Sequence, residues 1–134
     1  MPSKSKDFEQ RIYTVKKIFK KPIIDGTVDK IWDDVESTSK FVQYKPNNGR
    51  NERLGFETVI KVAYDKNNLY ILAILNDPHI DSLNKELAKR DEDNKNFDKF
   101  SVLIDPYSNG QLVYNFTVSA SNVQSDSKII RGNK

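Results

Sequence analysis

The chain has few of the residues that most often carry catalysis or bind metals. None of its 134 residues is cysteine, which excludes disulfides, thiol nucleophiles and thiolate metal sites. His79 is the only histidine, whereas zinc sites and histidine-based catalysis usually need further ligands or an orienting partner. Because Met1 is the only methionine, no haem held by methionine and histidine is expected. No pair of carboxylates stands out as a catalytic pair, so we expect no enzyme in this chain.

Long hydrophobic runs and a strong net charge are also absent. No apolar run approaches the ~20 residues of a membrane-spanning helix, so no membrane insertion by this chain is expected. The 22 basic and 19 acidic residues leave a net charge of only +3, and the basic residues are scattered, which argues against nucleic acid as a partner. Hydrophobic residues at 37% and charged residues at 31% favour one thin two-layer domain over two separate cores.

Short apolar segments alternate along the chain with turn residues. Phe56–Tyr64 alternates in the way that predicts a strand, and 65–68 (DKNN) predicts a tight hairpin turn. Leu69–Leu75 is apolar at every position, which predicts a central strand covered on both faces. Further strands are predicted at Ile12–Phe19, Phe41–Tyr44, Phe100–Ile104, Leu112–Val118 and Val123–Ile130.

Helical signals are few and short. Asp29 is placed to cap a helical turn over Lys30–Val35, which carries Trp32, the only tryptophan. A second short helix is predicted at Ile80–Ala88. The pattern as a whole predicts an all-β antiparallel β-sandwich, jelly-roll-like, with one or two short helical turns. Residues 1–10 are polar and predict a disordered or extended N-terminus, and residues 11–134 form the sandwich.

Segments distributed over the chain resemble family 9 carbohydrate-binding modules. Residues 23–32 (IIDGTVDKIW) resemble the I-D-G-x-x-D-E-x-W opening of that family, which implies that Trp32 is a core residue. Residues 60–70 (IKVAYDKNNLY) resemble its hairpin, and the next strand ends in Asn-Asp-Pro at 76–78, as it does in the family. Residues 98–105 (DKFSVLID) resemble its D-x-V-E-I-F-I-D strand. Family 9 modules are usually longer than this chain, which leaves open that the last strands are missing.

The resemblance implies a function and a setting. It implies a non-catalytic carbohydrate-binding module that binds an oligosaccharide or polysaccharide and is linked to carbohydrate catabolism. Residues 41–46, 89–91 and 104–107 are similar to the family-9-like N-terminal domain of large, exported, outer-membrane-associated bacterial proteins. That variant implies an extracytoplasmic location in the periplasm, at the outer membrane or outside the cell. It also implies a partner in the remainder of the parent protein, which could itself be a hydrolase acting on glycans.

The family's sugar contacts are mostly replaced in this sequence. The resemblance places the family's sugar-binding Glu at Ser101 and its Arg near Thr117. One of its two stacking tryptophans falls near Lys95, close to Phe97, and the other lies beyond residue 134. A structural or docking domain that kept the sandwich but lost the sugar site is therefore the alternative function. For sugar binding, the remaining candidates are Tyr44, Phe97, Tyr107 and Arg90.

The resemblance also implies calcium. Oxygen-rich loops can supply the six to eight oxygen ligands that Ca²⁺ takes. The candidate ligands are Asp98, Asp105 and Asp91. The structural alternative is that these carboxylates cap loops or pair with nearby basic residues such as Arg90.

Overall fold

The computed structural model describes residues 11–38, 40–43, 48–79 and 98–132. Strands make up 41% of the structure and helix 5%, and the strands form two sheets that are mostly antiparallel. The predicted all-β class is confirmed, and the two sheets are consistent with a β-sandwich. The chain divides into two compact units, Met1–Pro78 and His79–Lys134, and each contains one of the sheets.

The sheet of the first unit is organised around one long strand. Strand β3 (Thr58–Tyr64) pairs antiparallel with β4 (Leu69–Leu75) over its whole length, from Thr58 opposite Leu75 to Tyr64 opposite Leu69. Two short strands share the other edge of β3. β1 (Lys16–Lys17) is parallel to its C-terminal end, and β2 (Ser37–Thr38) is antiparallel to its middle. The predicted first edge strand is thus confirmed, although it is much shorter than Ile12–Phe19.

A tyrosine hydroxyl fills the gap between these two short strands. β2 pairs with Lys61 and β1 with Ala63, which leaves Val62 between them. The Val62 N–H donates to the Tyr13 hydroxyl at 3.2 Å, and this hydroxyl lies within donating distance of the Glu36 carbonyl. Tyr13 therefore completes a sheet edge that the backbone alone does not pair.

The core of this unit lies on the face of the sheet that carries Ala63 and Tyr70. These two residues are cross-strand partners and pack with Ile18, Trp32 and Val35. Trp32 is 4% exposed, so its prediction as a core residue is confirmed. It lies on a short 3-10 helix (Lys30–Asp34). The Lys61 ammonium on β3 donates to the Trp32 carbonyl at 2.7 Å and so links this helix to the strand.

The hairpin between β3 and β4 is held by the side chain of Asp65. Its Oδ1 accepts the N–H groups of Asn67 and Asn68, both at 2.8 Å, and its Oδ2 accepts the Tyr70 hydroxyl at 2.7 Å. The hydrogen bonds from Asn67 and Tyr70 lower the pKa of Asp65 below its ordinary value. Burial, together with the bond to Asp65, raises the pKa of Tyr70. The predicted turn at 65–68 is confirmed.

Two predictions about this unit need correction. The helical turn is present, but Asp29 makes no side-chain cap bond. Its Oδ2 instead accepts the Ile23 N–H at 2.6 Å, because the chain preceding the turn folds back across the carboxylate. Among the described strands, β4 pairs with β3 alone, and Leu69 and Leu75 are about half exposed. A central position for this strand is therefore not confirmed, since an apolar run does not determine its hydrogen-bonding neighbours.

The second unit contains an antiparallel three-stranded sheet. β5 (Lys99–Ile104) pairs with β6 (Leu112–Ser119), which pairs with β7 (Gln124–Ile130). Phe100, Val102 and Ile104 lie opposite Val118, Phe116 and Tyr114 and form an apolar face, as predicted. The opposite face is rich in hydroxyl and amide groups.

Two further predictions concern other parts of the chain. The predicted helix at 80–88 lies outside the described residues. The predicted strand at 41–44 is reduced, in its described part, to a single bridge between Val42 and Asn51.

Candidate functional site

The polar face of the second sheet centres on two hydroxyl groups. Ser101 on β5 and Thr117 on β6 are directly opposite each other in the strand register. Their side-chain oxygens lie 2.7 Å apart, the length of a good O–H···O hydrogen bond. Thr117 is 8% exposed, whereas Ser101 is exposed. Ser101, where the resemblance places the sugar-binding Glu, and Thr117, near which it places the Arg, are therefore neighbours in space.

The hydrogen bonds continue from this pair across the sheet. The Thr117 hydroxyl lies 3.4 Å from the Asn115 Oδ1, and the Asn115 amide lies 3.5 Å from the Ser127 hydroxyl on β7. Hydroxyl and amide groups both donate and accept. The face thus presents a row of neutral polar groups of the kind that can bind the hydroxyls of a sugar.

The loop between β5 and β6 carries Tyr107 at one end of this hairpin. Tyr107 is 70% exposed. The loop is shaped by Asp105, whose Oδ2 accepts the Gly110 N–H at 2.7 Å and whose Oδ1 accepts those of Tyr107 and Asn109. These hydrogen bonds lower the pKa of Asp105, and the bond from the Gly110 N–H has the largest effect. Gly110 has a φ of +68°, a conformation that glycine adopts without strain.

The predicted sugar-binding residues are only partly described. Tyr107 is exposed in its loop, while Tyr44, Arg90 and Phe97 lie outside the described residues. Tyr107 is therefore accessible to a ligand, and a sugar site formed by the four residues together stays a prediction.

The predicted calcium ligands do not fit one ion as a set. Asp98 and Asp105 flank β5 at opposite ends, with its six residues between them, and the seven steps from one to the other span about 23 Å at the usual rise of ~3.3 Å per residue. Ligands of one Ca²⁺ lie within about 2.3–2.6 Å of the ion, so these two carboxylates cannot share it. No three His, Cys, Asp or Glu side chains of the described residues come together as a metal-binding group. Asp91 lies outside those residues, and a site that joins it to either aspartate stays a prediction.

A separate pocket lies in the first unit, in the segment before β3. It has a volume of about 210 Å³ and is lined by Val42, Gln43, Glu52, Arg53 and Phe56. The Arg53 guanidinium lies over the Phe56 ring, 4.6 Å from its centroid, in a cation–π arrangement. The pocket thus joins an aromatic ring, a guanidinium, a carboxylate and an amide.

The carboxylate of this pocket is held in place by backbone groups. Glu52 Oε1 accepts the Phe41 N–H at 2.5 Å, and its Oε2 accepts the Thr58 N–H at 2.8 Å. The Gln43 amide nitrogen donates to the Asn51 carbonyl at 3.0 Å. Both side chains therefore have fixed positions at the wall of the pocket.

Sequence patterns did not identify this pocket. Glu52 and Arg53 precede the predicted strand that begins at Phe56, and no periodicity marks the three residues as one surface. The sequence feature that could have indicated the pocket is an Arg three residues before a Phe, in a turn that contains Gly55. Gly55 has a φ of +86°. The backbone N–H of Phe56 donates to the Arg53 carbonyl at 2.9 Å, which closes this turn and brings the two side chains together.

Comparison with known proteins agrees with the fold and the motifs. Residues 24–133 match the family described as "Carbohydrate family 9 binding domain-like". The match covers most of the chain and extends through both units, and the chain belongs to this family. No curated protein and no solved structure matches the chain.

Family membership determines the general class of function. The family is one of non-catalytic carbohydrate-binding modules, so the chain is a binding domain and not an enzyme. Its ligand is, at this general level, a carbohydrate. Modules of this family are typically extracellular. Within the described part of the chain, no helix has the length and apolar character needed to span a bilayer.

Proposed function

We propose that this chain is the carbohydrate-binding module of a larger exported protein that takes part in carbohydrate catabolism. One observation carries the proposal beyond the family assignment. Ser101, where the resemblance places the family's sugar-binding Glu, and Thr117, near which it places the Arg, are cross-strand partners on a polar face. This register supports a binding surface at the family's position, although the chemistry of its side chains is different.

This face suits a neutral sugar. The groups at its centre, Ser101, Asn115 and Ser127, are uncharged and can exchange hydrogen bonds with sugar hydroxyls. The exposed ring of Tyr107 provides an apolar surface for the C–H groups of a pyranose. Hydrogen bonds of this kind contribute modestly each, so the module binds weakly as a single unit.

The larger setting belongs to the same proposal. The module brings its parent protein to a glycan outside the cytoplasm, and no bond is broken in this chain. The similarity of 41–46 and 104–107 to the N-terminal domain of exported, outer-membrane-associated bacterial proteins supports this setting. A hydrolase acting on glycans is the activity expected of the parent protein.

Thermal unfolding and titration calorimetry against a panel of mono- and oligosaccharides test the proposal. A ligand that binds only the folded state raises the melting temperature. We expect at least one sugar to do so, and we expect Tyr107→Ala to weaken the binding. Phe19→Ala is the matched control, because Phe19 is also an exposed aromatic residue, at 93% exposure, in the first unit. Absence of binding to every sugar at millimolar concentration would contradict the proposal.

A docking domain is the second candidate function. The observation that favours it is the hydrogen bond between Ser101 and Thr117, in which each hydroxyl has the other as a partner. In that case the module packs against the remainder of its parent protein. Binding to a separately expressed remainder, without binding to any sugar, would support this second function.

The same thermal measurements with calcium and with a chelator test the predicted metal site.

A further inference from the structure

The pocket of the first unit offers a set of groups that none of the preceding functions uses. Its described wall contains a guanidinium donor, a carboxylate acceptor, an amide and the apolar surfaces of Val42 and Phe56. Stacking on Phe56 occupies the flat face of the Arg53 guanidinium and leaves the N–H groups at its edge to donate. Arg53 is exposed, so a ligand can reach these donors.

The carboxylate of Glu52 is prepared to accept hydrogen bonds. Each of its oxygens already accepts one backbone N–H, from Phe41 or Thr58, and each carboxylate oxygen has a second lone pair. The two backbone bonds fix the orientation of the carboxylate, so little side-chain entropy is lost when a ligand binds. A negative ligand would be repelled by Glu52, whereas neighbouring hydroxyls of a neutral ligand can donate to it and accept from Arg53.

The size of the pocket limits the ligand. Its volume of about 210 Å³ is below the ~300–1,000 Å³ typical of pockets for drug-sized ligands. The space suits one sugar ring or the end of a glycan chain, and further units of that chain would extend through the open side of the pocket.

We infer that Gln43, Glu52, Arg53 and Phe56 form a second carbohydrate subsite, which binds a single neutral sugar unit through neighbouring hydroxyls. The inference rests on the proposed carbohydrate-binding function. It assigns a site in the first unit, separate from the Ser101–Thr117 face of the second. The subsite contains a carboxylate, that of Glu52, and a guanidinium, that of Arg53. At Ser101 and Thr117 the second sheet carries hydroxyl groups instead.

The test uses Arg53→Ala, with Arg50→Ala as the matched control. Arg50 is an exposed arginine of the same segment that does not line the pocket. Glu52 is unsuitable for a first variant, because its oxygens also hold the backbone of Phe41 and Thr58. The ¹⁵N-labelled full chain is titrated with glucose, galactose, mannose and xylose, and with a disaccharide of each hexose. The amide signals of Gly49 and Gly55 report on the pocket, and those of Ser101 and Gly110 report on the second sheet.

We expect at least one sugar to shift the Gly55 signal. Arg53→Ala should weaken this binding by about tenfold or more, Arg53→Lys should restore part of it, and Arg50→Ala should leave it unchanged. Unchanged spectra of the free variants establish that the fold is intact. Shifts confined to Ser101 and Gly110 and insensitive to Arg53→Ala would overturn the second subsite and leave the proposed function standing. Absence of shifts with every sugar would overturn both.

Discussion

The hydroxyl oxygens of Ser101 and Thr117 lie 2.7 Å apart across strands β5 and β6. The resemblance to family 9 modules places a Glu at Ser101 and an Arg near Thr117. Such a pair would present a carboxylate and a guanidinium, whereas these hydroxyls present short, neutral groups that also satisfy each other. Like a Glu–Arg pair, Ser101 and Thr117 are two polar residues opposite each other in the strand register, but their side chains are uncharged and shorter. Because hydrogen bonds of charged groups are stronger, we expect this pair to bind a neutral ligand more weakly than a Glu–Arg pair would.

Removal of the two hydroxyls should have different effects. Ser101 is exposed, so Ser101→Ala should change the free energy of unfolding by less than about 1 kcal/mol while weakening sugar binding severalfold. Thr117 is buried, so Thr117→Val keeps the shape but loses the hydrogen bonds and should cost about 0.5–1.5 kcal/mol of stability. Urea unfolding and calorimetric titration measure the two effects. If Ser101→Ala leaves sugar affinity unchanged, the polar face is not the binding surface.

Tyr13→Phe should destabilise the first sheet. The substitution keeps the ring but leaves the Val62 N–H without its acceptor and the Glu36 carbonyl without its donor. Loss of these partners at a partly buried edge should cost about 1–2 kcal/mol. Tyr64→Phe is the control, because Tyr64 is 40% exposed and removal of an exposed hydroxyl usually changes stability by less than about 0.5 kcal/mol. Equal effects of the two substitutions would show that the Tyr13 bridge contributes nothing.

Acid should remove the contribution of Asp65. The pKa of this carboxyl is lowered in the folded chain, chiefly by the Asn67 N–H and the Tyr70 hydroxyl. The unfolded chain therefore takes up the proton first as the pH falls, so the stabilisation is fully present above the unfolded pKa of about 3.9. It is lost as the pH falls through the lower pKa of the folded state.

The difference in unfolding free energy between the native chain and Asp65→Asn measures this contribution. The difference should stay constant from pH 7 to about pH 5 and shrink below about pH 4. A difference that is the same at pH 7 and pH 2 would show that the charge of Asp65 does not matter. In that case the turn would depend on hydrogen bonding that an amide supplies equally well.

Asp105→Ala should loosen the loop that carries Tyr107. The substitution removes the acceptor of three backbone N–H groups, those of Tyr107, Asn109 and Gly110. Faster amide hydrogen exchange at Gly110, with β6 still protected, is the expected result. Because Tyr107 would lose its fixed position, sugar affinity should fall in parallel. Unchanged exchange at Gly110 would mean that the backbone alone determines the loop.

Local chemistry made several elements predictable from the sequence. The turn at 65–68 is specified by an Asp whose side chain accepts the N–H groups two and three residues further along the chain. The alternation of Phe100, Val102 and Ile104 predicted the faces of β5, because side chains alternate along any strand. The burial of Trp32 also followed from its place in the family motif.

Features that depend on distant parts of the chain were not predictable in the same way. Asp29 carries a typical capping side chain, but the Ile23 N–H competes for it and takes its oxygen. The neighbours of β4 depend on which strands reach it and not on its own apolar sequence. The pocket beside Arg53 requires Gln43 and Phe56 to meet, and no sequence period links these positions.

Titration calorimetry of the full chain with neutral mono- and oligosaccharides tests the central claim most directly. We predict saturable binding of at least one sugar at millimolar or lower concentration. This binding should be weakened by Tyr107→Ala or Arg53→Ala, and not by Phe19→Ala or Arg50→Ala. No measurable binding to any member of the panel would contradict carbohydrate binding by this chain and favour the docking domain.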